Sequence, residues 1–103
     1  MAVRVEKKQG VSLVILDNDS LVREIAQELK DAVNKLIDNG ERKIHLDLSR
    51  TEFADSSGVG KLLFLNRKMK DLGGDFAIAA LSQRLQEFFK SLALDSAISF
   101  PSK

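Results

Sequence analysis

The chain has 103 residues, 44% of them hydrophobic and 30% charged, the balance of one globular domain with a core of its own. Its 16 basic and 15 acidic side chains leave a formal net charge of +1, so no global field draws it to nucleic acid or to an anionic membrane. The absence of cysteine excludes a disulfide scaffold and thiolate chemistry, and no stretch approaches the ~18 apolar residues of a membrane span.

The opening Met1-Ala2-Val3-Arg4-Val5-Glu6 has no apolar signal core, so the expectation is a soluble, cytoplasmic domain spanning residues 1–103. Val3 and Val5 alternate with charged residues. Val11, Leu13 and Ile15 alternate with Ser12, Val14 and Leu16, and Lys8-Gln9-Gly10 between the two runs reads as a hairpin turn. The second strand is apolar on both faces, as a central strand is. Asp17-Asn18-Asp19-Ser20 is a polar break. After it Val22, Ile25, Ala26, Leu29, Ala32, Val33, Leu36 and Ile37 recur at helical spacing as far as Asp38, where Asn39-Gly40 supplies a left-handed stop.

Ile44, Leu46 and Leu48 mark a strand beginning at Lys43. A second helix follows, from about 57 to 72, with Val59, Leu62, Leu63, Leu65, Met69 and Leu72 read as inward and Gly73-Gly74 as its end. Phe76 to Leu81 is a short strand. Ser82 caps a third helix, 83 to 92, whose Leu85, Phe88, Phe89 and Leu92 share a face. Ala97 to Phe100 reads as a last strand, closed by Pro101. The order β-β-α-β-α-β-α-β predicts a single α/β domain, a mixed and mostly parallel sheet packed by three helices. The expected core is Leu13, Ile15, Ile25, Leu29, Ile44, Leu46, Leu62, Leu65, Ile78, Leu85 and Phe88.

Between the third strand and the second helix stands Phe53-Ala54-Asp55-Ser56-Ser57-Gly58-Val59-Gly60. Acidic and hydroxyl residues there accept hydrogen bonds from the unpaired N–H groups of a first helical turn. The two glycines admit a close neighbour, and the positive end of the helix favours an anion, so an exposed hydroxyl is well placed to carry phosphate.

The ordered set of a strand Ile44-His45-Leu46-Asp47-Leu48, then Phe53-x-Asp55-Ser56-Ser57-Gly58-x-Gly60, then a helix ending in Gly73-Gly74 before an apolar strand, resembles the STAS family. More narrowly it is similar to the bacterial anti-sigma factor antagonists. The resemblance runs from the first hairpin to Phe100 and implies a partner-switching regulator with no cofactor, no metal and no catalytic residue. The serine after the motif aspartate, here Ser56, is then the phosphoacceptor of an anti-sigma factor that is itself a kinase. A metal-dependent serine phosphatase restores the binding form, while Asp55, Ser57, Gly58 and Gly60 shape the turn. The family also carries an acidic stretch between its second strand and first helix, close to the phosphoserine loop. That region reads here Asp17-Asn18-Asp19-Ser20-Leu21-Val22, with Val22 where the family has aspartate and Asp19 and Ser20 as candidate partner contacts. Family members usually add a helix after the last strand; the sequence here stops at Lys103, which implies an exposed apolar strip or a partner over it.

On a helical wheel Phe64 falls with Lys61, Lys68 and Asp71, away from the Leu62, Leu65 and Met69 face, making Phe64 and Lys61 candidate contacts to the partner. Three other readings carry less. Gly58-Val59-Gly60-Lys61 fails the phosphate-loop pattern twice, because Asp55 stands where the first glycine belongs and Leu62 follows the lysine. His45, the single histidine, lies inside a strand and no Gly-x-Ser-x-Gly elbow is present, which argues against a serine hydrolase. Arg67-Lys68-x-Lys70 is a short basic run of the kind found on solvated helix faces. The alternative to a switched antagonist is a STAS scaffold without a switch, or a regulatory subunit of a transporter or stress-signalling complex, and Val22 favours it.

Overall fold

The computed structural model describes residues 2–100. Strands β1 (Val3–Lys8), β2 (Val11–Leu16), β4 (Lys43–Leu48) and β6 (Asp75–Leu81) form one sheet in the order β1-β2-β4-β6. The hairpin β1–β2 is antiparallel, and β2–β4 and β4–β6 are parallel. Its turn carries positive φ at both Gln9 (53°) and Gly10 (83°), the two-residue geometry that matches the twist of the strands it joins. Helices α1 (Arg23–Asp38), α2 (Ser56–Asp71) and α3 (Gln83–Ser91) bury one stripe each against a common core.

Two strands of two residues, β3 (Ser20–Leu21) and β5 (Phe53–Ala54), were not foreseen; they pair in parallel as a separate ribbon. The segments are too short for an alternation signal. The expected last strand, Ala97 to Phe100, is also different. A 3-10 turn occupies Leu94–Ser96, and only Ser99 bridges to Ala77, its carbonyl accepting from the Ile78 N–H at 2.8 Å. Pro101, read as the end of that strand, lies outside the described residues.

Register decides which strand residues enter the core. Val14 pairs with Leu46 and Ser12 with Ile44, so the even-numbered face of β2, Ser12, Val14 and Leu16, is fully buried beneath the helices. Leu13, expected in the core, therefore lies on the opposite face between Glu6 and His45 and is only half-buried. Ile15 shares that face but is buried, flanked by Arg4 and Asp47. There Arg4 forms an ion pair with Asp17, and Arg50 approaches the same carboxylate at 3.5 Å. Hydrogen bonding from Arg4 holds the Asp17 carboxyl below its usual range.

The stripe of α1 is Ala26, Leu29, Val33 and Ile37, with Ile25 at its margin rather than at its centre. On α2 the buried stripe is Gly58, Leu62, Leu65, Asn66 and Met69; Leu63 and Leu72, expected inward, are exposed. Asn66 is admitted because its side-chain amide donates to the Ala97 carbonyl at 2.9 Å. On α3 the buried face is Leu85, Gln86 and Phe89, so Phe88 and Leu92 turn outward, contrary to the expectation that placed Phe88 in the core. A one-residue rotation of the stripe separates Phe88 from Phe89, and adjacent phenylalanines cannot reveal it. Gly40 (φ 92°) ends α1 as expected, with the Glu41 N–H returning to Leu36 O at 3.0 Å.

Candidate functional site

The connections that follow β2, β4 and β6 meet at one end of the parallel sheet and are tied to one another. The Thr51 hydroxyl donates to the Asn18 carbonyl at 2.9 Å, and the Ser82 hydroxyl donates to the Thr51 carbonyl at 2.6 Å. Ser82 also accepts from the Leu85 N–H at 3.1 Å, capping α3. Thr51 is wholly buried and Ser82 nearly so, which makes these bonds costly to leave unmade. Neither residue had been assigned this bracing role; short hydroxyl residues at strand ends are common and gave no distinguishing signal.

On this brace sits the β3–β5 ribbon. Ser20 pairs with Phe53 and Leu21 with Ala54, and the Glu52 N–H donates to Asp19 O at 2.8 Å. The ribbon thus places Asp19, exposed, and Ser20, half-buried, beside the start of α2. Asp55 is the N-cap residue in extended conformation, and its carboxylate accepts from the Gly58 N–H at 2.9 Å. Its own N–H donates to Leu21 O at 3.3 Å, fastening the cap to β3.

With Asp55 as the cap, Ser56 becomes the first residue of α2 and stands exposed. Its hydroxyl forms no hydrogen bond among the described residues, and it lies at the helix end where unpaired N–H groups and the dipole favour negative charge. Ser57 is half-buried, and its side chain makes no hydrogen bond among the described residues, so the capping role left open between Asp55 and Ser57 belongs to Asp55.

The two glycines differ. A Cβ on Gly58 would stand 2.2 Å from Leu21 O and 2.9 Å from the Leu21 side chain, so only glycine lets α2 pack on β3. Gly60 is exposed with nothing within 4 Å of such an atom. It does not shape the turn as expected; its bare backbone lies in the outer face of α2, one turn from both Ser56 and Phe64. Phe64 is 46% exposed, with Lys30 of α1 4.2 Å from its ring centroid. Lys61 is half-buried and forms no ion pair among the described residues. Phe53, 56% exposed on β5, is an apolar neighbour of the loop that had not been singled out as a contact. Its alternation with the buried Ala54 is the available signal, and two residues are too few to read it.

His45 lies far along β4 from this site and is joined to Asp75 at 3.2 Å, with no serine as its partner. No described helix is long and apolar enough to cross a membrane. Val22, where the family aspartate is expected, is the N-cap of α1 and offers no side-chain bond.

The family profile described as "Mlab, STAS domain" matches residues 4–99. BtrV of Bordetella bronchiseptica, which carries the name of an anti-sigma factor antagonist, is 26% identical over 65 residues, 63% of this chain but only 56% of that protein. The match therefore spans little more than half of the curated relative. The fold is close to that of TM1081 from Thermotoga maritima (TM-score 0.82, 24% identity, 98% of this chain and 86% of that one). It is also close to the phosphorylated form of the Bacillus cell-fate determinant SpoIIAA (TM-score 0.72, 20% identity, 99% and 93%). With the profile covering nearly all of its length, this chain belongs to the STAS-domain family.

Proposed function

We propose that this chain is an anti-sigma factor antagonist, a non-catalytic cytoplasmic regulator that binds an anti-sigma factor and is released from it by phosphorylation of Ser56. The observation that carries the reading is the division of labour at α2: Asp55 caps the helix, and the adjacent Ser56 stands exposed with no hydrogen bond from its hydroxyl among the described residues. Phosphate there adds about −1.5 to −2 charge. The helix end tolerates it, at ~0.3–1 kcal/mol of favourable interaction. A partner that must desolvate the same spot does not, so the fold survives while the interface fails. The anti-sigma factor would be the kinase, and a metal-dependent serine phosphatase would reverse the step. The partner surface would comprise Ser56, Gly60 and Phe64 on α2, flanked by Lys61, Asp19 and Ser20.

Capture from the source cell with wild-type and Ser56→Asp protein as baits, compared by mass spectrometry, tests this. An anti-sigma factor retained by wild-type and Ser56→Ala protein and lost by Ser56→Asp supports the reading; equal retention by all three contradicts it. Phe64→Ala is expected to weaken the same complex by over ~1 kcal/mol with little change in melting temperature. Val22 supports a second reading, a constitutive scaffold or regulatory subunit without the switch, since the aspartate of the family is missing at the neighbouring helix start. Retention unaffected by any substitution at Ser56 is its signature.

A further inference from the structure

Strand β1 is the open edge of the four-stranded sheet. Which of its backbone groups face outward follows from two observations. The Asp17 N–H donates to Ala2 O at 2.7 Å, and Lys8 and Val11 close a two-residue turn. Both mark the even-numbered residues of β1 as bonded to β2. In an antiparallel ladder bonding alternates, so the N–H and C=O groups of Val3, Val5 and Lys7 point away from the sheet, unpaired.

The side chains of Val3 and Val5 face the helical layer, where they floor a groove of about 510 Å³ between β1 and α1. Val5 is 44% exposed there. The helical wall carries Glu24, Glu28 and Asp31 against one cation, Lys35. Apolar floor, acidic wall and free strand edge together suit an extended segment that presents apolar and basic side chains on one and the same face.

β1 is itself such a segment: Val3, Val5 and Lys7 share the helical face, opposite Leu16, Val14 and Ser12 of β2. We propose that the occupant of this groove is a second copy of this chain, its β1 added antiparallel to the first across a two-fold axis at Val5. In that register Val5 meets Val5 of the second copy and Val3 meets Lys7, so every bonded pair joins outward-facing groups on both sides. On the face away from the helices Arg4 lies directly opposite Glu6 of the second copy, and Glu6 opposite its Arg4. On the helical face Lys7 of the second copy arrives beside Val3, against the acidic wall of α1. Edge lysines ordinarily discourage strand addition; Lys7, ion-paired with Glu41 in its own chain, exchanges that partner for the acidic wall of α1 in the second copy. The interface is isologous and closes, which yields a dimer and not a fibre.

The test is the mass of the chain in solution by sedimentation or light scattering over a range of concentrations. A concentration-dependent dimer is expected from wild type. Val5→Pro should abolish it while leaving the far-ultraviolet circular dichroism unchanged, because the N–H it removes points away from β2. Glu6→Arg, which sets like charges opposite Arg4, should weaken it by tenfold or more. Val5→Cys supplies a reading that needs no proline. Directly paired residues lie about 5.5 Å apart at Cα, within disulfide range, and the chain has no other cysteine. Mild oxidation should give a covalent dimer of Val5→Cys and none of Leu72→Cys. A monomeric mass up to about 1 mM chain, a dimer that survives a folded Val5→Pro, or failure of the Val5→Cys cross-link would overturn the proposal.

Discussion

Helices α1 and α2 start side by side and start in opposite ways. Leu21 pairs with Ala54 across the ribbon, and the next residue on each strand, Val22 or Asp55, is the N-cap of its helix. Asp55 bonds its own helix and Gly58 fits under the Leu21 carbonyl, so the start of α2 is fixed from two directions. Val22 provides no bond, and the residue after it, Arg23, holds a positive φ of 38°. α1 is kept in place farther along, by its deeply buried stripe from Ala26 to Ile37. Packing alone holds a helix of this length. The cap and the close approach at Gly58 therefore do two things at α2: they contribute stability, and they fix the position of its first residue, Ser56.

The comparison breaks most readily at Gly58. Gly58→Ala forces a carbon against the β3 backbone and should cost about 2–3 kcal/mol, read as a shift in the urea midpoint. A loss near zero would mean that the ribbon yields and that α2 is not fixed to it. Asp55→Ala removes the cap and should cost about 1 kcal/mol in the same measurement, whereas truncating Val22 to alanine removes no cap at all. Val22→Asp sharpens the contrast from the other side. The cap position is already extended, with φ −134° and ψ 150°, so a carboxylate there should stabilise α1 by about 0.5–1 kcal/mol, or a melting temperature higher by a few degrees. An unchanged melt would show that the strained Arg23 prevents capping. An effect of the same size is expected at Gly60, which meets nothing: Gly60→Ala should raise stability by about 0.5–1 kcal/mol, opposite in sign to Gly58→Ala two residues earlier.

The sequence carries the long elements well, because their signals are periodic. Sixteen residues of α1 repeat one stripe, and β4 alternates cleanly between buried Ile44, Leu46, Leu48 and the less buried His45 and Asp47. Where periodicity gives no answer, only the register does. β2 is apolar on both faces, so nothing within it says that Val14 rather than Leu13 lies under the helices; its pairing with Leu46 decides. The same holds for Phe88 and Phe89. The candidate site was legible as a motif, and Ser56 and Phe64 stand exposed. The unequal roles of Gly58 and Gly60 were not legible, since they depend on β3, an element of two residues that exists only through its partner. Nor was the exposed Phe53, for the same reason.

The central claim is that Ser56, and not its neighbour, carries the switch. Charge does not choose between two serines at one helix start; the proposal rests on the cap, with Ser56 exposed and Ser57 half-buried. The direct measurement is to isolate the chain from cells in which its partner is active and to map phosphate by fragmentation mass spectrometry, beside a Ser56→Ala control. Phosphate on Ser56, absent from the control, is the result this account predicts. Phosphate on Ser57 in both samples would contradict it.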